Sequence, residues 1–121
     1  MKVMKFGGTS VADQSAMERL IAIVRAERQA EAQTEGGDAR GPIVVVSALS
    51  GVTDRLLGVA ALAQSGDPEG ARNSLRDLRA RHITVSEGVT DATLRPSVVD
   101  AINREFDDLE RIVSALVVVQ E

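Results

Sequence analysis

Apolar residues along the chain fall into two short extended runs and several longer stretches of helical period. Lys2-Val3-Met4-Lys5-Phe6 alternates like a strand and ends in Gly7-Gly8, so the pattern predicts a strand over residues 2–6. From about Asp13 a helix takes over, with Met17, Leu20, Ile21 and Val24 at i, i+3, i+4 and i+7. Ser15 with Glu18 offers a capping box for it, and Ser10 with Asp13 offers an earlier start. Residues 33–42 are polar, rich in glycine and end in Pro42, as expected of a surface connection.

The run Ile43-Val44-Val45-Val46-Ser47 is continuous and β-branched, the composition of a parallel strand buried on both faces. Ala48-Leu49-Ser50-Gly51 then reads as a turn and Val52–Gln64 as a helix. Asp67-Pro68 supplies an N-cap followed by proline at the first helical position. The helix behind it carries Leu75, Leu78, His82 and Val85 on one stripe. A last helix, from about Ser97, repeats Val99, Ile102, Phe106, Leu109, Val113 and Leu116 at spacings of three and four. Strand, helix, strand predicts a right-handed βαβ unit with two parallel strands side by side. Two strands are few for four helices, and Leu116–Val119 is an apolar ending without a cap, so the expected fold is an incomplete part of a larger α/β domain.

Composition narrows the chemistry. The 121 residues are 44% hydrophobic and 26% charged, ordinary for one soluble domain. The absence of Cys removes disulfides, thiolate metal sites and a Cys nucleophile. One histidine, His82, argues against a His-rich metal centre or a His-based triad. A net charge of −4 and only two aromatic residues, Phe6 and Phe106, speak against nucleic acid as a partner. Neither a targeting segment nor an apolar run of membrane-spanning length stands out, so a cytoplasmic location without a membrane partner is expected.

Lys5-Phe6-Gly7-Gly8-Thr9-Ser10 joins a strand to a helix. Glycines there let the backbone approach a ligand closely and adopt a positive, left-handed φ, so that successive N–H groups can point into one concavity. Lys5 can add an ammonium, Thr9 and Ser10 hydroxyl donors, and the next helix its positive end, which together suit a phosphate. The competing explanation is a tight βα connection with Thr9 or Ser10 as a helix cap and Lys5 as a solvated strand end. Neither G-x-x-x-x-G-K nor G-x-G-x-x-G is present. Ser47–Thr53 repeats the plan, and residues 1–12 and 41–53 contain no acid, so both turns are free of carboxylates and should adjoin at the carboxyl ends of the strands. Elsewhere, His82 reads as a packed core or interface residue, and Asp54 as a helix-start acid rather than a metal ligand. Arg76, Arg79 and Arg81 read as a solvated face, and the Val99–Leu116 stripe as a helix packing on its own domain or a twin subunit.

The run Lys5-Phe6-Gly7-Gly8-Thr9-Ser10-Val11-Ala12-Asp13 resembles the opening signature of the aspartate kinases, within the amino acid kinase family. Val45–Asp54 resembles that family's second motif, and Phe106-Asp107-Asp108-Leu109-Glu110 the helix leading to its next block. The resemblance implies the N-terminal portion, over residues 1–121, of a three-layer αβα sandwich catalytic domain, without a regulatory ACT domain. It implies ATP-dependent phosphorylation of the L-aspartate side chain to 4-phospho-L-aspartate, the start of the route to lysine, threonine and methionine. Lys5 is then the catalytic residue. Lys5, Phe6, Gly7, Gly8, Thr9 and Ser10 would bind ATP and its phosphates, and Ser47 and Thr53 the aspartate. Mg²⁺ would come with ATP, with no protein ligand assigned, and a homo-oligomer is expected. The Gly-Glu motif that should follow soon after residue 121 is missing, which predicts an inactive isolated chain. The alternative is a non-catalytic phosphate-binding or assembly module using the same turns.

Overall fold

A computed structural model describes residues 2–37 and 40–120. Asp38 and Ala39, within the expected 33–42 connection, lie outside the described residues, as do Glu121 and the side chains of Val118–Gln120 in the apolar ending. The element order is β1 (Val3–Phe6), a 3₁₀ turn (Gly8–Val11), α1 (Gln14–Gln33), β2 (Ile43–Val46), α2 (Val52–Gln64), α3 (Pro68–Val89) and α4 (Arg95–Gln120). This is the helix-rich α/β order read from the sequence. Contacts divide the chain into two compact units, Met1–Ser50 and Gly51–Glu121, where composition alone suggested one domain.

In the first unit β1 and β2 pair in parallel, with Val3 opposite Ile43 and Phe6 opposite Val46. Side chains alternate across a strand, so Met4 and Phe6 share one face and Val3 and Lys5 the other. Phe6 is half-buried and lines a hollow with Ala16 and Leu20 of α1. Lys2 at the start of the strand reaches Glu27 of α1 at 2.5 Å. The expectation that the second strand is buried on both faces is not met. Ile43, Val44, Val45 and Val46 are 48%, 37%, 45% and 52% exposed, because only one neighbouring strand stands beside them among the described residues.

The start of α1 also differs from both alternatives read in the sequence. Asp13 is the N-cap, its carboxylate accepting from the Ala16 amide at 2.9 Å, while Gln14 donates to Glu18 at 3.0 Å. Gly8–Val11 is taken up by the 3₁₀ turn, which leaves Ser10 outside the helix. With the first turn of α1 satisfied by its own carboxylate, the positive end nearest the glycines is that of the 3₁₀ turn.

In the second unit three helices enclose a core of Val59, Ala63, Ala71, Leu75, Leu78, Phe106 and Val113. Ala63, Ala71 and Leu78 are fully buried, the small side chains allowing close helix approach. Gly66, at φ +86°, turns the chain between α2 and α3, and Asp67 caps α3 by accepting from Gly70 N at 2.9 Å, with Pro68 opening the helix as expected. Asp91 accepts from the amides of Thr93 and Leu94, so α4 begins at Arg95, slightly before the Ser97 start expected.

The α4 stripe packs against α3, as a helix on its own domain should. His82 is half-buried, with Nδ1 2.7 Å from Leu78 O and its ring 5.4 Å from that of Phe106, consistent with a packed residue. Arg79 departs from the solvated face expected of it. It lies over the Phe106 ring and donates to Asp107 at 2.9 Å and to Asn103 Oδ1 at 3.2 Å, tying α3 to α4. Among the described residues no helix is long and apolar enough to cross a membrane.

Candidate functional site

The parallel register fixes where the two turns fall. Phe6 pairs with Val46, so both strands end at the same edge of the sheet. Ser47 N donates to Phe6 O at 3.1 Å, the last bond before the chains diverge. A Cβ placed on Gly8 would lie 3.9 Å from Ser47 Oγ, so the first turn runs directly beside the second. Sequence reasoning placed these turns side by side because the two strands should be parallel neighbours, and the pairing brings Lys5, Phe6, Gly7, Gly8 and Ser47 to one sheet edge.

Within the first turn, Ser10 N donates to Gly7 O at 3.0 Å and closes the 3₁₀ turn. The amides of Gly8 and Thr9 precede this bond, so the turn itself offers them no acceptor. Gly7 has φ −80° and ψ −177°, an extended backbone any residue adopts, and a Cβ there would meet nothing within 4 Å. Gly8 is likewise absent from the positive-φ glycines. The backbone therefore has no conformational need of glycine at either position, contrary to the sequence argument that left-handed φ is used here. What the two glycines do leave is open space over the amides.

Lys5 is exposed and on the sheet face opposite Phe6. Among the described residues no carboxylate pairs with it. Its ammonium is free to reach a ligand at the strand end. Thr9 and Ser10 are exposed, and Ser47 is exposed with its hydroxyl donating to Ala48 O at 3.2 Å. The Phe6 ring, in contrast, lies on the α1 side, where it supports the turn from beneath. Thr53 stands in the first turn of α2, in the second unit, and is exposed, with Asp54 beside it as the helix-start acid. Gly51, the N-cap of that helix, has φ +79°, so here glycine does answer a conformational need. Asp54 has no metal-binding company: among the described residues no three His, Asp or Glu side chains converge.

Sequence reasoning missed the role of Asp13 and the hollow on the α1 side of the turn. Several cap-forming residues lie within a few positions of each other, and only the 3₁₀ turn decides between them. The arrangement sets amides and one lysine at the adjoining carboxyl ends of parallel strands, the groups that anion recognition uses.

The profile of the amino acid kinase family matches residues 1–115, and the chain belongs to that family. The match spans both compact units and makes the protein a kinase-type phosphotransferase chain, with a helix-rich α/β fold that fits part of the family's domain. No curated protein matches the chain.

Proposed function

We propose that this chain is the phosphate-binding N-terminal part of an aspartate kinase, acting on ATP and L-aspartate. The observation that carries the reading is the pair of adjoining turns, with a Lys5 ammonium that no carboxylate pairs among the described residues before the first and two glycines that leave open space over the turn. The match of Lys5–Asp13 and Val45–Asp54 to the two aspartate kinase motifs supplies the substrate.

The chemistry asks little of the protein. An oxygen of the aspartate side-chain carboxylate attacks the γ-phosphorus of ATP, the bond to the bridging oxygen of ADP breaks, and the electron pair leaves with ADP. The carboxylate is already ionised at neutral pH, so no general base is needed. Catalysis then rests on alignment and on neutralising spread negative charge. Lys5 supplies the positive charge, the amides of Gly8 and Thr9 donate to phosphate oxygens, and Gly7 keeps the approach open. Phe6 contributes its backbone to this segment and its ring to the support of the turn. Thr9 and Ser10 flank the phosphates, and Ser47 takes the aspartate. Mg²⁺ arrives with the nucleotide and screens its charge. A cytoplasmic homo-oligomer is the expected setting.

Calorimetry of the chain with Mg·ATP, followed by L-aspartate or L-glutamate, tests the reading. Binding of Mg·ATP and a further heat with aspartate alone is expected. Equal response to both amino acids contradicts the assignment of substrate, and phosphate binding with no response to either favours the non-catalytic module.

A further inference from the structure

The geometry points to a second ligand site on the α1 side of the glycine turn, shaped for a short-chain organic carboxylate. A hollow of about 200 Å³ lies there, below the size range of pockets for nucleotide-sized ligands. Phe6, Leu20 and Ile23 form its apolar floor and wall, and Thr9, Ser10 and Arg19 stand around it. Because Phe6 and Lys5 point to opposite faces of β1, this hollow lies across the turn from the place where Lys5 would meet a phosphate; this inference rests on that reading only in that Thr9 and Ser10 border both places, and Lys5 has no part in the hollow.

The polar groups around it lack partners. Arg19 is exposed, and the residues one helical turn away on either side are Ser15, Ala16, Ala22 and Ile23, so no acid sits at the spacing that would pair with it along α1. Among the described residues its guanidinium forms no ion pair. The hydroxyls of Thr9 and Ser10, both exposed, likewise hold no hydrogen-bond partner among the described residues. One planar cation with two neutral donors matches a single carboxylate, which a guanidinium grips through two parallel N–H bonds. A doubly charged phosphate would be left half-compensated.

The apolar side sets the rest of the ligand. Leu20 is buried, yet Ile23, one turn along the same helix face, is 49% exposed at the rim. An aliphatic tail of a few carbons laid over Phe6 and Ile23 would remove that surface from water, while its carboxylate stays at Arg19. The ligand class is therefore an amphipathic monoanion, carboxylate at one end and short hydrocarbon at the other.

Butanoate is the direct probe. In amide-resolved NMR titrations of the whole chain, butanoate is expected to give saturating shifts at Thr9, Ser10 and Arg19–Ile23. Acetate, which lacks the chain, and butanol, which lacks the charge, should bind roughly five- to tenfold more weakly. Arg19→Gln should weaken butanoate by roughly tenfold, and Ile23→Ser by a smaller factor, both at exposed positions that leave the remaining spectrum in place. Lys5→Ala should leave butanoate binding unchanged while removing phosphate binding, so failure of this site and failure of the kinase reading are told apart. Absence of saturating shifts, equal binding of acetate and butanoate, or full binding by Arg19→Gln would each overturn the proposal.

Discussion

Leu75 and Leu78 in the second unit are 1% and 0% exposed, whereas Ile43 to Val46 in the first, with as strong an apolar pattern, are 37–52% exposed. The second unit closes a core with three helices that supply caps, small residues at close contacts and a cross-helix arginine. The first has one helix beneath a two-stranded sheet, and its other sheet face carries Val3, Lys5, Ile43 and Val45 in the open. The contrast separates two things that apolar composition is often taken to mean together. A β-branched run reports the burial a strand is suited to, while the burial it has depends on how many neighbours cover it. In this chain the open unit also carries Lys5, Gly7, Gly8 and Ser47, all of them exposed at the strand ends.

The largest effect that would break the contrast is in the cores. Leu78→Ala should cost about 2–5 kcal/mol in a denaturant titration of the helical signal, since a fully buried side chain leaves a cavity. Val45→Thr, on the exposed strand, should stay within about 0.5 kcal/mol. Comparable losses from both would show the sheet to be as enclosed as the helices. A smaller but sharper pair concerns the turns. Gly51→Ala forces a positive φ on alanine and should destabilise by about 1 kcal/mol. Gly7→Ala, at an ordinary φ with open space, should be neutral or stabilise by about 0.5 kcal/mol.

The smallest expected effect is a pH dependence within the first unit. The hydrogen bond and charge of Glu27, with a further contribution from Glu31, raise the pKa of Lys2 above its ordinary value. A raised value in the folded state means the pair favours folding while the lysine is protonated. That contribution is complete below the ordinary lysine range and is lost as pH rises through the raised value. Lys2 is half-exposed, so the loss should be slight and weakened by salt, seen as a melting difference from Lys2→Ala that is present below the ordinary lysine range and shrinks as pH rises beyond it.

Much of this arrangement was legible in the sequence because it rests on local rules. Period and punctuation placed both strands and all four helices, Asp67-Pro68 marked the start of α3, and the parallel pairing expected of a βαβ unit put the two turns at one edge. The residues that escaped were those whose role depends on distant neighbours. Arg79 looked like part of a solvated arginine face because its partners, Asn103 and Asp107, lie on another helix. Asp13 marks the start of the helical period in the sequence but not its cap, because the 3₁₀ turn before it decides which residue caps. The exposure of β2 could not be read from Ile43–Val46, whose composition is that of an interior strand. At the candidate site, residue types and spacing pointed to anion chemistry, but not to Gly7 and Gly8 being free of conformational demand. That distinction needs a backbone angle and a measured clearance.

The central claim, that the two neighbouring turns and Lys5 form one phosphate site, is tested most directly by an amide-resolved titration with Mg·ATP. The account predicts saturating shifts at Gly7–Ser10 and at Ser47–Ser50 with one common affinity, abolished by Lys5→Ala in a chain that keeps its fold. Shifts confined to one turn, or binding that survives the loss of the ammonium, would contradict it.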